Sequence, residues 1–172
     1  MSSASSVSRP AAVPTASKLS PRRLYRIVAV AETVTWTLLI IGMLLKYVAK
    51  AGSLPVLIGG SIHGLVFITY GLTAVLVGVN QRWSTRQIVA AVLTAIAPYA
   101  TIPFDRRLER RHLLDGDWRT TATDDPRDHS WVSRLLRWML ARPMVLAGVF
   151  VVLVIVIMTT MLIIGPPGGW SK

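Results

Sequence analysis

Residues 144–164 are 21 consecutive positions without an ionisable side chain. As a helix they reach ~31 Å, the thickness of a bilayer's hydrocarbon core. A soluble fold distributes its apolar residues periodically, so that each element keeps a wet face. A run of this length keeps none, and it commits the chain to a membrane. Three further apolar segments precede it: residues 27–48 with Glu32 and Lys46, residues 56–79 with His63 as their one ionisable residue, and residues 88–102. The expected class is all-α, a polytopic helical membrane protein. Residues 21–108 make a three-segment membrane core and residues 143–166 a C-terminal transmembrane helix.

The third segment is the anomalous one. As a helix it reaches only ~22 Å, and Pro98 and Pro103 remove backbone donors and bend or end helices. Charge adds a second difficulty. Arg22, Arg23, Arg26, Arg82 and Arg86 flank the first two segments on one side, which the positive-inside rule makes cytoplasmic. If segment three spans, the arginines between positions 106 and 142 fall on the opposite side. If it is re-entrant, almost every basic residue shares the cytoplasmic side, with Lys46, Lys50 and Lys172 as exceptions. Such a segment needs shielding, because lipid cannot satisfy irregular backbone. Both arrangements stay open here, with a cytoplasmic N-terminus.

The net charge of +11 would point to nucleic acid in a soluble protein. Here the basic residues flank apolar segments, so no nucleic-acid partner is expected. The absence of cysteine excludes disulfides and thiolate ligands. His63, His112 and His129 are too scattered for a metal site. No HExxH, GxSxG or P-loop pattern occurs, so neither an enzyme nor a cofactor is expected.

Residues 1–20, rich in Ser, Ala and Pro, are expected to be a disordered tail. The stretch SPRRLYR followed by AVA at 29–31 has a trace of an export signal. Cleavage there would cut at the start of the apolar run, so an uncleaved signal-anchor helix, and a full-length mature chain, is expected. Residues 109–130 form a charge-mixed polar loop, expected to be solvated, with a short helical start at 105–114. Residues 131–142 are expected to be an interfacial amphipathic helix. Trp131, Leu135 and Trp138, beside Val132, Leu136 and Met139, oppose Arg134 and Arg137, which would meet anionic lipid headgroups. The alternative is an ordinary amphipathic helix packed on protein. Trp170 is placed to anchor at the far interface.

A charge at mid-membrane costs ~2.5–3.5 kcal/mol even on the gentler insertion scale, so each needs a partner or a purpose. A hairpin turning near Gly52 puts Glu32 level with Gly71 and beside Tyr70. It puts His63 level with Ile40, ~12 Å along the axis from Glu32. One reading is a polar seam of Glu32, Tyr70, His63 and Lys46 that carries protons or a ligand. The other sets Glu32 one or two turns from the cytoplasmic surface, paired with Arg26 or Arg86 or reached by water, lets Lys46 snorkel, and leaves a neutral His63 bonded to a neighbouring helix. Gly60 and Gly64 form a GxxxG motif that Gly71 and Gly78 extend into a small-residue stripe, expected to pack helices closely.

Several pieces occur together in order: AVAETVTW, LLKY at 44–47, GGSIHGLVF at 59–67, RWS at 82–84 and PYATIPFDRRL at 98–108. From Arg23 to Arg107 the chain thereby resembles small bacterial integral membrane proteins of domain-of-unknown-function family 3817, although Glu32-Thr33 stands where that pattern has Glu-Gly. The tail, the polar loop and the last helix lie beyond this core, as in an actinobacterial member with an added C-terminal helix. The resemblance implies a membrane location and a three-segment core, and it supplies no activity. The expected role is a non-enzymatic accessory or assembly subunit of a plasma-membrane complex, bound to other membrane proteins or to itself. The alternative is a small oligomeric transporter or channel that uses the Glu/His/Lys seam.

Overall fold

A computed structural model describes residues 19–165; most of the expected tail, and Trp170, lie outside them. Regular structure among these residues is helical: α1 (Pro21–Tyr47), α2 (Leu54–Asn80), α3 (Thr85–Thr94), α4 (Thr101–Arg110), α5 (Trp131–Leu140) and α6 (Pro143–Ile164), with a 3-10 turn at Pro126–His129. Three of these, α1, α2 and α6, are long and apolar enough to cross a membrane. Ser20 starts α1 by accepting from the Arg23 amide at 3.3 Å, with Pro21 preset for the first turn.

The α1–α2 hairpin has a register different from the expected one. A Cβ on Gly42 would lie 2.7 Å from the Pro55 carbonyl oxygen, and one on Gly59 3.0 Å from that of Leu38. His63 therefore stands beside Thr35 (Nδ1···Oγ1 3.1 Å) and not level with Ile40. The expected register assumed a turn centred on the loop, whereas backbone contact at the two glycines fixes it. Gly60, Gly64 and Gly71 are not the close-packing positions. A Cβ on Gly71 would meet nothing within 4 Å, one on Gly60 only a Leu39 methyl at 3.8 Å, and one on Gly64 would face Met158 of α6 at 3.9 Å.

Segment three breaks in two and turns back. From the end of α2, Ser84 opens α3 with a capping box to Gln87. The chain reverses over residues 95–100, where Tyr99 takes a left-handed φ of 64°, and α4 returns along α1. Thr101 meets Thr33 at 3.2 Å, Asp105 meets Arg26 at 3.7 Å and Glu109 meets Arg22 at 2.8 Å. The hairpin enters and leaves at one end of the bundle, which is the re-entrant arrangement. Its apex lies beside Trp36, ~14 Å past Ile27 along the helix. The shielding such backbone requires is present. Ala91 and Ala95 are 0% and 1% exposed. The Trp36 indole donates to the Ala95 carbonyl at 3.1 Å, and Thr94 Oγ1 to that of Ala91 at 2.6 Å.

The last helix, α6, runs antiparallel to α2: Leu146 shares a groove with Leu76, and Met158 faces Gly64. It buries no residue. The arginines of the 105–142 stretch thus share an end of the bundle with Arg22 and Arg26, which removes the conflict with the charge rule. On α5, Leu136 is buried against α2 and α6 while Trp131, Leu135 and Trp138 stay exposed. The helix is both packed on protein and open outward.

Residues 111–130 are irregular and largely exposed, yet hydrogen bonds and two buried side chains tie them to the helix ends. Asp128 is 1% exposed and accepts from both the Nε and Nη2 of Arg82, from Arg119 Nη1 and from the amide and hydroxyl of Thr123. Buried Asn80 accepts from the Arg119 amide at 2.9 Å and donates to the Asp117 carbonyl at 3.2 Å. The Trp83 and Trp118 indoles donate to the carbonyls of Leu113 and Leu19. The segment is a cap over the helix ends. Single cysteines test this topology, since the native chain has none. Arg23→Cys and Thr120→Cys should react with an impermeant maleimide from one side and Ser53→Cys from the other. Thr120→Cys labelling together with Ser53→Cys would refute re-entry.

Candidate functional site

A ladder of polar side chains climbs the α1–α4 interface from the arginine-rich end into the membrane. At its foot Glu109 accepts from both Arg22 and Arg26, and Asp105 lies 3.7 Å from Arg26. Next comes Glu32, 0% exposed, whose Oε2 accepts from Thr101 Oγ1 at 3.0 Å. Thr35 Oγ1 donates to the Glu32 carbonyl at 3.0 Å and lies 3.1 Å from His63 Nδ1. The His63 ring packs at 4.4 Å from Trp36 and 6.1 Å from Phe67. A second branch runs from Tyr25 to Tyr70 (2.9 Å) to Thr94 (3.2 Å), with Trp83 edge-on to Tyr25.

Thr35 thus links His63 to the backbone carbonyl of Glu32, not to its carboxyl, and the two residues stand ~5 Å apart along the axis. Tyr70 bonds to Tyr25 and Thr94 in place of Glu32. Arg26 serves Glu109 and Asp105, so Thr101, delivered by α4, takes the expected place of Arg26 at Glu32. Lys46 lies outside the ladder, its ammonium 4.9 Å above the Tyr47 ring. Sequence reasoning missed Thr35, Thr101, Asp105 and Glu109. The last three recur every four residues, a spacing that puts them on one helical face, and this was the signal that could have found them.

Among the described residues, two buried oxygens in the ladder, Glu32 Oε1 and Asp105 Oδ1, accept no hydrogen bond of good geometry. A cleft between α1 and α4, lined by Arg26, Thr33, Thr101 and Asp105, opens beside them. A buried carboxyl held by a single hydroxyl from α4 is suited to hold a proton or accept from a small donor. The ladder's contacts stop at His63. Beyond it Gly59 and Gly42 bring the two helix backbones together and leave no room for side chains. The arrangement is a site open at one end and closed by backbone packing at the other.

Comparison with known proteins brackets this geometry. A family described as a domain of unknown function (DUF3817) matches residues 22–110, from the first turn of α1 to the last residue of α4, and the match includes every rung of the ladder. A Streptomyces coelicolor protein named "Putative membrane protein SCO5905" is 38% identical over 84 residues, which are 48% of this chain and 10% of that protein. The chain therefore matches only about a tenth of that relative's length. No solved structure matches.

Proposed function

The chain belongs to the DUF3817 family, and on that premise we propose that it is a non-enzymatic accessory subunit of a larger plasma-membrane complex, with its N-terminus in the cytoplasm. The observation that carries this reading is that the matched stretch makes up 10% of the Streptomyces protein. A unit of the size of α1–α4 is there joined to a much longer chain. The exposed apolar surface of α6 and the open aromatic face of α5 supply contact area within the membrane. The gathering of arginines at the end where α1 begins supports the orientation.

The test is purification of the tagged chain in mild detergent from its own membranes. A larger membrane protein should accompany it in fixed ratio; a monodisperse particle of this chain alone would sink the reading. The transporter alternative draws on the buried Glu32 carboxyl. It needs an oligomer to continue the route past His63, and ion or proton flux in vesicles holding this chain alone would favour it.

A further inference from the structure

The α4 helix has two chemically opposite faces. Thr101, Asp105 and Glu109 turn toward α1, while Arg107, Arg110 and Arg111 turn away, with Arg86 from the first turn of α3 beside them; Arg106 stands between, bordering both the α1–α4 cleft and the outer face. Arg107 and Arg111 border two adjoining depressions. One is completed by Pro103, Arg106 and Arg110; the other by Arg86, Gln87 and the apolar Phe104 and Leu108.

None of these five guanidiniums forms an ion pair within the described residues, whereas Arg22, Arg26, Arg82, Arg119 and Arg127 all do. Acids are close in sequence but committed elsewhere: Asp105 and Glu109 to α1, Asp125 and Asp128 to the cap. Five neighbouring cations without an internal counterion repel one another, and an external anion relieves that repulsion. Depth identifies the anion's source. Asp105, adjacent to Arg106, reaches Arg26, and the exposed apolar surface of α1 begins at the next residue, Ile27. The guanidiniums therefore lie at the boundary of the hydrocarbon core, at the level of lipid phosphates. Phe104 and Leu108 provide an apolar floor under one depression. Of the two α5 arginines expected to bind headgroups, Arg137 is committed within the protein, donating to the Asp128 carbonyl at 2.8 Å.

We propose that the arginine face of the re-entrant hairpin is a binding site for an anionic phospholipid, whose phosphodiester is held by Arg107 and Arg111 with Arg86. The paired arginines fork onto the phosphate oxygens, and the lipid's glycerol backbone rests on Phe104.

The test titrates the full chain in neutral detergent with phosphatidylglycerol, phosphatidylcholine or inorganic phosphate, reading bound lipid by native mass spectrometry and the unfolding temperature. Phosphatidylglycerol should bind and raise the unfolding temperature, while the other two should not. Arg107→Gln with Arg111→Gln should bind it roughly thirty-fold more weakly, about fivefold per charge removed, and Arg134→Gln should match the native chain. Equal binding of the two lipids overturns the proposal, as does an undiminished double variant. Reproduction of the effect by inorganic phosphate, or an equal loss in Arg134→Gln, overturns it too. Should the glutamine pair fail to fold, Arg107→Lys with Arg111→Lys keeps the charge but not the fork. It must still bind several-fold more weakly, and native-like binding by it overturns the proposal.

Discussion

Replacing Asp128 by alanine should release the cap from the helix ends and destabilise the protein by about 3 kcal/mol, the scale for removing one partner of a buried ion pair. The carboxylate holds two guanidiniums at once, Arg82 at 2.7 Å and Arg119 at 2.8 Å. Arg119 also donates to the Val79 carbonyl at the end of α2, and burial pushes its guanidinium pKa downward. Without Asp128 this half-buried cation is left uncompensated, so the loss exceeds that of the hydrogen bonds alone. Arg82 reaches the carboxylate from a left-handed backbone (φ 55°) that the ion pair helps to hold. Asp128→Asn keeps the shape and gives up the charge, and should fall between.

The same pair sets a pH dependence. The Arg82 guanidinium holds the Asp128 carboxyl well below the usual carboxylate range. A depressed folded value means that its contribution is complete above the unfolded pKa of about 4 and fades as pH falls below it. Limited proteolysis within residues 111–130 should accelerate below that pH in the native chain and at neutral pH in Asp128→Ala. Equal cleavage rates and unfolding temperatures for Asp128→Ala and the native chain at neutral pH would show that the cap does not depend on this residue.

Much of this fold is legible in the sequence because the membrane imposes length. The apolar runs that became α1, α2 and α6 announce themselves, and Pro98 marks where segment three breaks. The charge rule already favoured re-entry, since a spanning segment three strands the arginines beyond position 106. What stayed hidden depends on contacts between distant residues. Nothing local separates Asp128 from Asp124 or Asp125; its burial comes from Arg82, 46 positions earlier. The placement of His63 is a matter of register. Register follows from which glycines touch backbone, and the GxxxG spacing pointed to Gly60 when its neighbour Gly59 makes the contact. The polar ladder was half legible. Glu32 and His63 stand out as ionisable groups inside apolar runs, whereas the threonines that connect them look like ordinary helix residues until α4 is folded back.

Register makes the hairpin glycines the most consequential positions in the core. Gly42→Leu should be the most damaging single substitution in α1. Its Cβ would lie 2.7 Å from the Pro55 carbonyl oxygen and 3.0 Å from the Val56 Cα, both backbone atoms that cannot rotate aside. Overpacking against side chains costs about 1–3 kcal/mol, and backbone gives less, so a loss at or above the top of that range is expected. Gly59→Val should act alike against Leu38, whereas Gly71→Ala, with open space around it, should be neutral or gain up to ~1 kcal/mol from helix propensity. Thermal unfolding followed by size-exclusion chromatography in detergent separates these cases. Gly42→Leu as stable as Gly71→Ala would mean that the two backbones are not in contact. The consequence for the site follows from the same geometry. A hairpin wedged apart at Gly42 moves His63 away from Thr35 and cuts the ladder above Glu32, so the glycines that seal the far end of the bundle also position the polar groups at its middle.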